Sequence, residues 1–182
     1  MSKGKMIVVS GCSGVGKNTV LGMVMKQRQD LLFSVSATTR EPRPDEIDGV
    51  HYYFVTYEKF QEMVANGEFL EYDEHNARCY GTPRAQAEEK MARGHVILDI
   101  EPKGARQVRD AMPEAKLIFI MPPSMEELER RLRGRGDTPE DQIELRLARA
   151  EWEMEQRFWY DHVVVNDDAR RCADEILNII SE

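Results

Sequence analysis

Apolar positions along the 182-residue chain alternate between short continuous runs and longer stretches of helical spacing. The runs at 6–9 (MIVV), 95–100 (HVILDI) and 115–121 (AKLIFIM) are unbroken rather than alternating, as in strands buried on both faces of a parallel sheet. Helical spacing follows the first run from Lys17 to about Gln29, and a second helix is predicted over 57–65. HYYFV (51–55) and FLEYDEH (69–75) read as extended segments. Thr82-Pro83 has the chemistry of a helix start, with Thr as cap and Pro in the first turn, and that helix should stop by Gly94. Ser124 and Glu127 form a capping box ahead of a basic helix that Gly134 and Gly136 interrupt. Thr138-Pro139 opens a helix to about Phe158, and a strand at 162–166 and an amphipathic helix at 169–180 complete the pattern.

This order predicts one α/β domain over 1–182 whose core strands come from stretches near 6–10, 95–121 and 162–166. The core covers about 1–32, 95–123 and 159–182, and the segments 33–94 and 124–158 are insertions on a doubly wound sheet. Ligands of such sheets sit at the carboxyl ends of the strands.

A net charge of −8 argues against a nucleic-acid coat protein, which needs a dominant positive field. It leaves room for a small phosphorylated ligand in a locally basic cleft. Cys12, Cys79 and Cys172 are far apart and include no CxxC pair, so neither a disulfide framework nor a thiolate zinc site is suggested. His51, His75, His95 and His162 are scattered and suggest no metal site. The first residues hold too few apolar positions for a signal peptide or membrane span, and the expectation is a cytoplasmic protein with no membrane partner.

GCSGVGKNT (11–19) stands between a predicted strand and a predicted helix. Gly11, Gly14 and Gly16 allow a tight turn in which the amides of this loop, through Cys12, Ser13 and Val15, point inward at phosphate oxygens. The helix N-terminus adds partial positive charge, and Lys17 reaches the outer phosphates. Asn18 occupies the position where a Ser or Thr hydroxyl normally ligates Mg²⁺. An amide oxygen can ligate a hard cation with different reach, and Thr19 cannot replace it because one helical step turns its side chain about 100° away.

With SVSATTREPRPDEIDGVHYYF (34–54) following that loop, the chain resembles guanylate kinases, and the likeness continues through ILDIEPKGA, MPPS, RLRGRG and VVVNDD in colinear order. The resemblance implies a P-loop core, a GMP-binding insertion near 33–94, a helical lid near 124–158, and transfer of the ATP γ-phosphoryl group to GMP or dGMP with Mg²⁺. It implies that Arg40, Arg43, Tyr52 and Tyr80 hold the GMP phosphate. Two guanidinium forks three residues apart in a Pro-containing loop suit one dianion. It places Glu71 on the paired N–H donors of guanine, Thr82 on the guanine carbonyl oxygen, and Ser36 near the base. Asp99 and Glu101 come to lie between acceptor, phosphates and metal, Glu101 standing where Asp is more usual. Arg135 and Arg146 are implied to clamp the ATP phosphates and Asn166 to lie beside adenine, leaving Arg131, Arg133 and Arg149 as surface charge. The acceptor is already an anion, so the scheme needs no covalent nucleophile. The alternatives are a non-catalytic binding module of the same fold, which typically loses the phosphate loop, or a kinase with another phosphorylated acceptor.

Overall fold

The computed structural model describes residues 4–75, 77–134 and 139–182. Its elements in chain order are β1 (Met6–Gly11), α1 (Lys17–Gln27), β2 (Leu31–Phe33), β3 (Ala37–Thr38), β4 (Tyr53–Phe54), α2 (Tyr57–Ala65), β5 (Phe69–His75) and β6 (Arg78–Pro83). There follow α3 (Arg84–Met91), β7 (His95–Asp99), α4 (Pro102–Ala111), β8 (Lys116–Met121), α5 (Met125–Arg133), α6 (Glu140–Glu155), a 3₁₀ turn (Gln156–Trp159), β9 (His162–Val165) and α7 (Ala169–Ser181). The strands form a five-stranded sheet of order β2-β7-β1-β8-β9 and a four-stranded sheet of order β4-β3-β6-β5. The ladders β1–β8, β8–β9 and β2–β7 are all parallel, as the unbroken apolar runs predict. No helix among the described residues is long and apolar enough to cross a membrane.

The chain divides into two compact units. The first holds residues 30–99 and 103–115 with the N-terminal residues to Met6, and its small core is Ala37, Phe60, Met63, Phe69 and Cys79. Phe60 and Phe69 stack there with ring centroids 4.5 Å apart, tying α2 to β5. Thr56 caps α2 by accepting a hydrogen bond from the Lys59 amide. The second unit holds residues 7–29, 100–102 and 116–182. Its core is the apolar interior of β1 and β8 together with Val20, Leu21 and Val24 of α1 and Cys172 and Ile176 of α7, all buried.

Three expectations are corrected. Thr82 is not a helix cap: β6 runs on through Pro83, which is itself the N-cap of α3 without a side-chain bond. Its hydroxyl is spent elsewhere, as described below. The capping box at α5 is half made. Ser124 accepts from the Glu127 amide at 3.1 Å, but the Glu127 carboxylate turns to Arg130 and Arg131, because two guanidinium partners outweigh one amide. Beyond the predicted strands, β2, β3 and β6 and helix α4 are present.

Candidate active site

In the first unit three of the candidate residues share one face of the β5–β6 hairpin. The antiparallel register sets Glu71 opposite Thr82, Asp73 opposite Tyr80 and His75 opposite Arg78. Alternate residues share a face, so Glu71, Tyr80 and Thr82 lie together while Cys79 packs into the core on the other side. Glu71 and Thr82 are 5% and 0% exposed, and the Thr82 hydroxyl donates to Glu71 Oε1 at 2.6 Å. A carboxylate this deep is costly unless hydrogen-bonded, and Thr82 supplies one bond while fixing the direction of the other oxygen. Room for that oxygen comes from Gly104 in α4, where an added Cβ would fall under 3.0 Å from Glu71 Oε2. Gly104 is a site residue that sequence reasoning missed, because nothing in ILDIEPKGA announces what the glycine faces.

The arginine loop is built on a carboxylate. Arg40 donates from both terminal nitrogens to Glu46 at 2.8 Å, and the Arg43 amide donates to Glu46 Oε2 at 2.8 Å. These bonds hold the Glu46 carboxyl down at about 2, Arg40 being the larger cause and the Arg43 amide the second. Arg40 also lies 5.2 Å over the Tyr52 ring and 5.7 Å from that of Phe54, and the Tyr52 and Tyr80 rings meet edge-on at 6.2 Å. Burial pushes the Tyr52 hydroxyl above its ordinary value; Tyr80, Asp99 and Glu46 push the same way and Arg40 opposes them. Arg40, Tyr52, Tyr80 and Asp99 are therefore within electrostatic reach of one another. Arg43 is exposed in the same loop, and Ser36 is half-buried ahead of β3, its carbonyl accepting from the Tyr53 amide at 2.9 Å. Glu46 is a second residue missed from sequence.

The glycine-rich loop lies in the second unit. The loop from Gly11 to Gly16 joins β1 to α1, with Gly14 at φ 86° and Gly16 at φ 91°, backbone that L side chains rarely adopt. An added Cβ at Gly14 would press on Leu132 of α5 at 2.7 Å, and one at Gly16 on Asn166 Nδ2 at 2.7 Å. Gly16 caps α1 without a side-chain bond, so the first-turn amides of Lys17, Asn18 and Thr19 retain the anion-binding character of a helix start. Ser13, Asn18 and Thr19 are not buried, Lys17 is half-buried, and Cys12 and Val15 are buried. Burial, reinforced by Glu153 and opposed by Lys17 and Arg131, pushes the Cys12 thiol up to about 12.

Two residues brace this loop from behind. Asn166, 4% exposed, donates from its amide to the Val15 carbonyl at 2.7 Å. Arg131 reaches the Val15 carbonyl at 3.2 Å and the Asn166 carbonyl at 3.0 Å while pairing with Glu127. Arg131 is thus a loop buttress rather than the surface charge expected of it. Arg149 is likewise not plain surface: it pairs with Glu101 and, at 3.0 Å, with Glu153. Glu153 is 3% exposed, its second carboxylate oxygen is buried without a partner, and burial pushes its pKa above the ordinary carboxyl value. Arg133 does lie at the surface, between Glu129 and Glu140. Arg146 is half-buried and makes no ion pair among the described residues. Arg135 lies outside the described residues, as do Gly136 and Thr138.

Among the described residues no group of three or more His, Cys, Asp or Glu could hold a metal ion unaided. A hard cation at Asn18 or Glu101 would draw the rest of its shell from phosphate and water, the usual habit of Mg²⁺.

The family model for guanylate kinase matches residues 3–182. A guanylate kinase of Synechococcus sp. (strain CC9311) is 48% identical over 93% of this chain and 90% of its own length. One from Thermus thermophilus is 47% identical over 98% of this chain and 81% of its own. The crystal structure of guanylate kinase from Anaplasma phagocytophilum superposes with a TM-score of 0.77 at 37% identity, covering 99% of this chain and 86% of that one. A family match over residues 3–182, relatives near half identical over most of their length and a superposable structure lead to one conclusion: the chain belongs to the guanylate kinase family.

Proposed function

We propose that the protein transfers the γ-phosphoryl group of ATP to the phosphate of GMP or dGMP, giving ADP and the nucleoside diphosphate. The observation that carries the reading is the buried Glu71–Thr82 pair. Guanine offers a ring N–H and an exocyclic amine side by side, and a carboxylate oriented by Thr82 accepts both. Adenine has no such pair and would leave Glu71 desolvated, a penalty that discriminates far better than an apolar pocket does.

In this reading Ser36, Glu71 and Thr82 orient the base, while Arg40, Arg43, Tyr52 and Tyr80 hold the acceptor phosphate. The loop amides from Gly11 to Thr19, with Lys17, hold the donor phosphates, and Asn166 steadies the loop beside the adenine subsite. Arg135 and Arg146 neutralise charge on the transferring group when the 124–158 lid closes over it, and Asp99 and Glu101 face the phosphates from the acidic side. Mg²⁺ arriving with ATP would be held through Asn18 and Glu101 and supplies charge neutralisation. Direct transfer needs positioning and electrostatics more than proton chemistry. The 33–94 segment serves as the GMP-binding part. The partners are ATP and GMP, with no nucleic-acid polymer or membrane, in the cytoplasm.

Coupled ADP release measured with AMP, CMP, UMP, GMP and dGMP tests this. Turnover confined to the guanine nucleotides is expected. Comparable turnover with AMP, or ATP binding without any turnover, would overturn it in favour of another acceptor or a binding module.

A further inference from the structure

A pocket of about 490 Å³ in the first unit is lined by Thr39, Arg40, Glu41, Arg43, Ala77 and Arg78. Three guanidinium groups share it. Arg40 is engaged by Glu46 and by the Glu41 carbonyl at 2.8 Å, but Arg43 and Arg78 make no ion pair among the described residues, and the Glu41 carboxylate forms none with the three. Strand register explains how Arg78 comes to be there. β3 pairs with β6 through Ala37–Gly81 and Thr38–Tyr80, and the bond from the Thr39 amide to the Cys79 carbonyl (3.1 Å) continues the register by one residue. The Cys79 amide returns a bond to Thr39 Oγ1 at 2.9 Å, and Arg40 and Arg78, beyond the ladder, line the same pocket. Arg78 also follows Tyr80 and Thr82 at the strand's two-residue period, so it shares their face of the hairpin. It sits about 7 Å past Tyr80, on the side away from the base-holding pair.

Like charges gathered around one pocket repel, and Arg40, Arg43 and Arg78 are so placed. Glu46 forms its ion pair with Arg40. What remains is surplus positive charge from Arg43 and Arg78 around an open pocket, together with Ala77 at φ 56°, a left-handed turn residue that is not glycine. An anion between the guanidinium groups removes the repulsion. We propose that Arg78 is a third arm of the acceptor-phosphate site, binding and steering the phosphate of the incoming nucleotide alongside Arg40 and Arg43. This rests on the reading above, in which Arg40 and Arg43 hold that phosphate. A charge-assisted bond from an exposed arginine, discounted for solvent screening, corresponds to about a five- to tenfold change in affinity.

The test is equilibrium binding of GMP and of guanosine to the wild-type protein, Arg78→Gln, Arg78→Lys and Arg43→Gln, at low and high salt, with KM and kcat measured in parallel. Arg78→Gln should weaken GMP about five- to tenfold, leave guanosine unchanged and flatten the salt dependence; the loss should fall on KM rather than kcat. Arg78→Lys should keep the salt dependence but not the full affinity, since the charge stays and the fork is gone. GMP binding unchanged in Arg78→Gln but weakened in Arg43→Gln would overturn the role of Arg78 and leave the site standing. GMP binding unchanged in both would overturn the phosphate site itself. Equal loss of GMP and guanosine would show that Arg78 only shapes the hairpin, and would also refute the proposal.

Discussion

Replacing Gly104 by Ala should damage guanine recognition from a helix that never needs to touch the base. The added Cβ would stand 3.1 Å from Glu71 Cδ and under 3.0 Å from Oε2, where real Cβ atoms essentially never sit. The methyl group belongs to helix backbone and cannot rotate away, so the carboxylate must retreat by about 1 Å to reach normal contact. A displacement of that size at a positioning group costs about 10²-fold in kcat/KM. It also stretches the 2.6 Å bond from Thr82, the contact that aims the carboxylate. The helix itself should not suffer, because Ala is favoured over Gly in a helix interior by about 0.5–1 kcal/mol. The expected result is a fall in kcat/KM for GMP on the order of 10²-fold, carried mainly by KM, with KM for ATP and the thermal midpoint little changed. Coupled ADP release across a GMP titration at saturating ATP measures it. A GMP profile that superimposes on wild type would refute the reasoning: either α4 yields or Glu71 does not hold the base.

Glu46 should remain ionised in mild acid. Its folded value lies near 2 against an ordinary 4.5, so its contribution to the arginine loop is complete above pH 4.5 and lost only as pH falls from there through about 2. An NMR titration of the Glu46 carboxyl carbon that turned at pH 4.5 would contradict the Arg40 pairing. The three thiols are buried, and burial is the first cause raising each of them, Cys12 to about 12 and Cys172 to about 11. Native protein at pH 8 should resist a thiol reagent that counts all three after unfolding; rapid labelling of native Cys12 would sink this. Asn18→Ser should lower the Mg²⁺ concentration giving half-maximal rate, with GMP affinity unchanged, and superimposable Mg²⁺ curves would mean that Asn18 never meets the metal.

Much of the parallel core was readable because its signal is local. Unbroken apolar runs at β1, β7 and β8 predict their own burial, and α2 and β5 coincide with the predicted 57–65 and 69–75. Thr82 shows where local reading fails. Thr-Pro ahead of a polar segment is good helix-start chemistry, yet the hydroxyl goes to Glu71, eleven residues back and on the neighbouring strand. A long-range carboxylate acceptor in a dry site is worth more than an exposed helix amide, and no spacing rule contains that competition. Gly104 and Glu46 escaped for the same reason, since their importance lies in what faces them.

The arginines carry the same lesson into the chemistry. Counting charges along 131–149 gives a basic stripe in which Arg131 and Arg149 look alike, and the structure separates them by partner. Arg131 is consumed by backbone carbonyls of the phosphate loop and of Asn166, so removing it would loosen the cradle rather than the chemistry. Arg149 bridges Glu101 to the buried Glu153, whose other oxygen has no partner. A carboxylate that deep is costly without a partner, so Glu153 anchors Arg149 and Arg149 in turn occupies Glu101. Any cation that draws on Glu101 must therefore compete with a guanidinium held in place from below.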